Sequence, residues 1–224
     1  LERPACHQGA PQPALVLAVA VVKRDFELVV RMAVELGVDR LIPLLCERTA
    51  VLGQLKPERW RSIAAEAAEQ CERLWLPSIE EPKPLAVLLA EPLAPGAMGL
   101  WATTRQGDLP DLSQPLEGER GDVPGPVWLA CGPEGGWSGA EERLALAAEQ
   151  LQALVAAKGD HGLLIARKHM GWLCTGFAGA PQLRHNLMRA PTPAAALALL
   201  TGASAGLAQG STAGQPWRIS SSEK

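Results

Sequence analysis

The stretch VWLACGPEGGWSGAEE, Val127–Glu142, decides the architecture. An apolar run of strand length stops at a loop of Gly, Pro, Glu, Gly and Gly, and Ser138 is followed three residues later by Glu141. Serine with glutamate at that spacing is a capping box: the hydroxyl accepts from the N3 amide while the carboxylate accepts from the cap amide. The stretch therefore reads as a strand, Val127–Cys131, then a loop, then a helix capped by Ser138 and running to about Ala157. In open α/β sheets ligands bind outside the carboxyl ends of strands. Three glycines there, Gly132, Gly135 and Gly136, let the backbone approach a flat ligand with no Cβ in between. The same glycines also suit a tight turn that merely joins strand to helix, and spacing leaves both readings open. The loop is neither G-x-x-x-x-G-K nor G-x-G-x-x-G, so a phosphate loop and a dinucleotide fingerprint are both excluded.

Upstream, Leu15–Val22 and Leu41–Leu45 are apolar strands, the second carrying Pro43, which predicts an edge position or a strand end. Between them Asp25 stands at an N-cap position. Phe26, Val29, Val30, Ala33 and Leu36 recur at helical spacing, and Gly37 follows as a C′ residue. Pro57 opens a second helix with a stripe of Trp60, Ile63, Ala64, Ala67, Cys71 and Leu74. Glu69 and Arg73 lie four apart on its outer face, and Pro77 ends it. Gly99–Thr103 is a short strand, and the Gly-, Pro- and acid-rich residues 105–126 form a surface loop. This alternation predicts an α/β fold with a mostly parallel sheet flanked by helices. Beyond Lys158 the pattern weakens. Gly162–Arg167 (GLLIAR) has strand length, Leu173–Ala180 has no clear period, and Ala194–Leu200 suits a short helix. The division is a linker at 1–13, an α/β domain at 14–157, a divergent final part of that domain at 158–200, and a Gly-, Ser- and Ala-rich disordered tail at 201–224.

Bulk properties narrow the function. The 224 residues suffice for one large domain or two small ones, and 47% hydrophobic with 20% charged residues is enough to bury a core. A net charge of −3 excludes polyanion binding by bulk charge, leaving only a local basic patch. Seven Trp, two Phe and no Tyr argue against a stacked-aromatic RNA platform of the RRM type. The five cysteines are an odd, scattered set with no C-x-x-C pair. They read as reduced, mostly buried thiols of a cytosolic protein rather than a disulfide or zinc scaffold. Four histidines without ligand spacing predict no metal. Ala14–Val22 contains an Ala18-Val19-Ala20 resembling a signal-peptidase site. The run is too short to span a bilayer and lacks a basic leader, so it reads as a buried strand and no membrane partner is expected. No G-x-S-x-G elbow is present, which excludes an α/β-hydrolase. The chain starts at Leu1, as a fragment would.

GPEGGWS after a strand, followed by an acidic helix start, resembles the signature of the RsmE family, SPOUT-class methyltransferases that methylate N3 of a uridine in 16S ribosomal RNA. Two upstream segments agree. Arg31–Val51 (RMAVELGVDRLIPLLCERTAV) is similar to the family's K-A-x-E-L-G-V, I-x-P and E-R-S stretch. Glu58–Ile79 (ERWRSIAAEAAEQCERLWLPSI) is similar to its R-W-x-x-I-A-x-E-A-A-x-Q-x-x-R helix and P-x-I turn. The three ordered motifs cover about residues 15–145.

The resemblance implies S-adenosyl-L-methionine as methyl donor, a cytoplasmic homodimer, a trefoil knot, and 16S ribosomal RNA of the small ribosomal subunit as partner. It places the cofactor pocket on Leu129, Ala130, Cys131, Gly132, Pro133, Glu134, Gly135 and Gly136, with Trp101, Ala102 and Thr103 as a second wall. Uracil N3 must lose its proton to attack a methyl group. Glu134 is the nearest acid and so the candidate catalytic base; the alternative is that it only braces the loop. For RNA phosphates the candidates are Arg48 and Arg73 at family-like positions, and Lys23 and Arg24 at the end of strand one. Glu35 reads as a packing or ion-pair residue. Two departures stand out. The family's PUA-like N-terminal barrel has no counterpart in residues 1–13. Its L-G-x-x-I-L-R-x-E-T-A segment has only GLLIAR as an echo in Val155–Ala180. Two readings follow: an RsmE-type ribosomal RNA methyltransferase domain, or a degenerate, truncated homologue retaining only scaffold or dimerisation.

Overall fold

Leu15–Ala20 (β1) and Arg40–Leu45 (β2) are built from apolar residues on both faces, as strands covered on both sides must be. In the computed structural model, which describes residues 12–49, 55–91, 93–94, 96–103 and 125–210, they form the middle of a parallel sheet. The remaining elements are α1 (Phe26–Glu35), α2 (Pro57–Gln70), β3 (Ser78–Ile79), β4 (Lys83–Pro84), α3 (Leu85–Ala90), β5 (Met98–Ala102) and β6 (Val127–Cys131). Four helices follow: α4 (Gly139–Lys158), α5 (Asp160–Leu173), α6 (Ala180–Arg189) and α7 (Pro193–Gly210). Strand order is β3-β2-β1-β6-β5, with β4 also on β2, and every pair is parallel. The chain runs outward from β1 through β2 in one direction and returns to β1's other side as β6. The point where strand order reverses therefore lies between the carboxyl ends of β1 and β6, where an open α/β sheet has its ligand crevice.

Three apolar clusters hold this arrangement. On one face of the sheet Leu41 and Val21 pack with Phe26, Val30, Trp60 and Ile63 of α1 and α2, the Phe26 and Trp60 rings 4.6 Å apart. On the other face Val16, Ala18, Ile42 and Leu44 meet Leu85 of α3 and Trp137. The third cluster joins α4–α7, with Leu144, Leu151, Met170, Leu187 and Leu200 fully buried.

The parallel α/β architecture agrees with the sequence reading, and several local expectations change. Pro43 lies in an interior strand, not at an edge. β3 registers against Arg40 and Leu41, and β4 against Leu44 and Leu45. The proline thus falls in the gap between two short partners, where no amide is required on that side. Asp25 precedes α1 but makes no side-chain cap; it adopts φ 61° instead. Gly37, at φ 93°, ends α1 as expected, with Val38 N–H donating to Ala33 O and Gly37 N–H to Val34 O. α2 stops at Gln70, and Leu74 is exposed rather than part of its stripe. GLLIAR is not a strand but the middle of α5. Helix α7 continues to Gly210, into the segment whose composition predicts a disordered tail. Most of the predicted linker (residues 1–11), most of the surface loop (104–124) and the last residues (211–224) lie outside the described residues. No helix among the described residues is long and apolar enough to cross a membrane.

Candidate functional site

Two of the three loop glycines answer to the loop's own geometry. Pro133–Gly136 forms a turn closed by Gly136 N–H donating to Pro133 O at 2.7 Å, and Gly136 takes φ 68°, where a side chain would be strained. A Cβ on Gly132 would come within 2.9 Å of the Trp137 ring. That indole is 2% exposed, stacks on Trp101 with centroids 4.0 Å apart, and donates its Nε1–H to Ala102 O at 2.8 Å. Trp137 thereby locks the end of β5 to the loop after β6. Gly135 is different: it is exposed, and among the described residues a Cβ there would meet Arg48, at 3.4 Å.

The inner side of the loop is anchored by side chains from two elements. Arg48, just beyond β2, donates from Nη1 to Gly135 O and to Trp137 O, each at 3.0 Å. The capping box is present: Glu141 N–H donates to Ser138 Oγ at 3.1 Å and Ser138 N–H to Glu141 Oε2 at 2.9 Å. Glu141, 2% exposed, spends its other oxygen on Glu47 N–H at 2.8 Å. One buried carboxylate thus fastens the start of α4 to the exit of β2. Glu142 approaches Thr103 Oγ1 at 3.4 Å, joining α4 to the exit of β5.

The predicted site residues divide accordingly. Trp101 and Ala102 end β5 in register with Ala130 and Cys131 of β6, Leu129 pairs with Leu100, and Thr103 follows β5. Burial raises the Cys131 thiol above its ordinary pKa. Glu134 is exposed on the turn. Lys23 and Arg24 are exposed beyond β1, on the same sheet edge as Gly132–Gly136. Arg48 is there too, tied to the loop carbonyls. Arg73 is not. Its side chain is 4% exposed and donates to Val34 O, Val38 O, Gly37 O and Asp39 Oδ1, with its guanidinium over Trp75. The RNA-phosphate role expected for Arg73 is therefore replaced by a structural one, completing the carbonyl end of α1. Sequence reasoning missed Trp137 and the second contact of Glu141. A large aromatic following two glycines was the available signal for the first; the second depends on a chain separation of 94 residues. It also missed that the turn Cys174–Gly179 packs on α4, where Arg143 donates to Thr175 O.

A family model described as RNA methyltransferase domain matches residues 10–154. The chain belongs to this family. Within it the likeness is to the RsmE-type SPOUT domain. The chain is 39% identical over 136 residues to ribosomal RNA small subunit methyltransferase E of Synechocystis, covering 58% of this chain and 43% of that protein. This RNA methyltransferase domain chain thus spans less than half the length of that curated relative. A 48-residue stretch is 48% identical to another Synechocystis protein, named probable tRNA-dihydrouridine synthase 1, covering 21% of this chain and 14% of that one. In fold the methyltransferase domain matches a crystal structure of ribosomal RNA small subunit methyltransferase E from Neisseria gonorrhoeae bound to S-adenosyl methionine. That match has a TM-score of 0.51 and 24% identity, over 61% of this chain and 55% of that one.

Proposed function

We propose that this chain transfers a methyl group from S-adenosyl-L-methionine to N3 of a uridine in 16S ribosomal RNA of the small subunit. The supporting observation is the exposed, Cβ-free Gly135 on a loop at the strand-order reversal, held from its inner side by Arg48 and Trp137. The residues present fit the donor. Arg48, Glu141 and Trp137 fix the loop in advance, which is how a site avoids ordering costs on binding. Gly132–Gly136 would hold the donor on one side and Trp101–Thr103 on the other; when bound, it supplies an electrophilic methyl group on sulfur. Lys23 and Arg24 supply positive charge for RNA phosphates on the same edge, and Glu134 accepts the N3 proton. The relatives named for ribosomal RNA methylation and for tRNA modification support RNA as the substrate class. The homodimer, the cytoplasmic location and the trefoil knot implied by the family likeness belong to the same proposal.

The test is calorimetric titration of S-adenosylmethionine into the whole chain, followed by Gly135→Trp, which fills the outward side of the loop. Binding by the parent and its loss in the variant support the reading. A folded chain that binds no donor favours the second one, a catalytically silent scaffold. One observation points that way: beyond the family match, which ends at residue 154, the chain forms a helical bundle and no further strand among its described residues. Glu134→Gln with undiminished turnover removes Glu134 as the base.

A further inference from the structure

The charge of this chain is unevenly placed. Residues 150–203 hold five Lys and Arg against a single acid, Asp160, a net of +4 in a chain whose total is −3, and three of the four histidines lie there as well. Two of those cations are committed to the bundle: Arg167 donates to Ala190 O and Arg184 to Cys174 O. Lys158, Lys168 and Arg189 are exposed, Arg189 with its Nη1 against the His185 ring one turn earlier.

Helix α5 buries Leu163, Ala166 and Met170 and turns its opposite face to solvent. That outward face is a stripe at spacings of three, four and four: His161, Leu164, Lys168, Trp172. Trp172 is 65% exposed, with Lys168 Nζ 5.5 Å from its ring centroid and His169 edge-on at 5.9 Å. Helix α6 continues the surface through Met188, whose Cε lies 3.5 Å from where a Cβ on Gly171 would stand, and through exposed Arg189. A hollow of about 370 Å³ opens at the His161 end.

We infer that this α5–α6 face is an RNA-docking surface, on which an unpaired base stacks against Trp172 while Lys168 and Arg189 meet the flanking phosphates. An indole largely in water costs apolar exposure and finds its match in a flat π-face; Lys168 over the ring and exposed Arg189 on the adjoining helix match phosphates of the flanking nucleotides. The single stripe interleaves charge with one aromatic ring and offers no broad apolar band for a lipid surface. Phosphate-rich RNA also complements the local excess of positive charge, which the acidic remainder of the chain does not provide. The inference rests on the reading that the chain acts on RNA, but not on the donor site, since no residue of the stripe belongs to the Gly132–Gly136 loop.

The experiment is fluorescence anisotropy with the whole chain and a labelled RNA hairpin of mixed loop sequence, the blunt duplex serving as control. Trp172→Ala lowers hairpin affinity about tenfold and leaves duplex affinity unchanged, while Trp172→Phe restores most of the loss. Lys168→Glu with Arg189→Glu lowers the slope of log affinity against log salt by about 1–2. S-adenosylmethionine titration of the same variants stays at the parent value, so failure of the donor site and failure of this surface give different results. Hairpin affinity unchanged in both variants overturns the proposal. So does a Trp172→Ala variant that alters only sedimentation, which would assign the face to a second copy of the chain.

Discussion

Glu141→Ala is the perturbation with the sharpest structural arithmetic. The carboxylate is 2% exposed and accepts from two backbone amides, Ser138 N–H at 2.9 Å and Glu47 N–H at 2.8 Å. Its removal leaves the buried Ser138 N–H and the half-buried Glu47 N–H without a partner, each costing about 1–3 kcal/mol. The expected loss is roughly 3–5 kcal/mol. For a chain of this size that lowers the melting temperature by on the order of 10 °C. Ser138→Ala forfeits only one bond, that from Glu141 N–H, and costs about 1 kcal/mol. Glu141→Gln keeps one acceptor and turns an NH₂ toward the other amide, so it falls between them. Urea denaturation of the three variants gives the ranking, and amide exchange at Glu47 and Ser138 locates the loss. The reasoning fails if Glu141→Ala lies within about 0.5 kcal/mol of the parent, or if Glu141→Gln costs as much as alanine.

Three other outcomes are expected. Arg73→Ala removes a buried guanidinium that serves three carbonyls and Asp39, and urea denaturation is expected to show a loss of roughly 3–5 kcal/mol; RNA affinity of the folded fraction stays unchanged, in keeping with its structural place. Burial pushes Cys174 up to about 11 and Cys46 higher still, aided by Glu141, so an aromatic disulfide reagent at pH 8 modifies exposed Cys71 while Cys46 and Cys174 react only in urea. Burial alone would raise Glu80, but hydrogen bonds from Arg40 and Lys83 outweigh it and hold the carboxyl below its ordinary value. The stability this cluster supplies is complete above the unfolded value of about 4.3 and is lost as pH falls below it; a pH series of urea midpoints should show a shallower acid limb for Glu80→Gln.

What could be read from sequence follows the length over which each signal repeats. β6, the Ser138 cap and α4 were legible within a few residues, because strand, turn glycines and capping box each declare themselves locally. Contacts that close the site were not: Arg48 to Gly135 and Glu141 to Glu47 join segments that only the sheet brings together. Arg73 misled because its spacing from Glu69 places it on an outer helix face. The helix in fact ends at Gln70, and Glu72 at φ 55° turns Arg73 inward. GLLIAR misled because a six-residue window cannot tell a buried strand from a buried helix. Over fourteen residues Leu163, Ala166 and Met170 show the helical period. Gly162 breaks nothing: it lies where a Cβ would stand 2.2 Å from Leu154 O, so glycine is what lets α5 cross α4.

The packing of α7 against α3 sets an order of events during synthesis. Leu89 of α3 is covered by the bundle cluster to which Leu200 belongs, yet about 100 residues of chain separate the two helices. At roughly 5–20 residues per second, the ribosome takes roughly 5–20 seconds to supply the cover. Even after β6 has completed the sheet, one flank of α3 stays bare until α7 is made, the window in which a chaperone has something to hold.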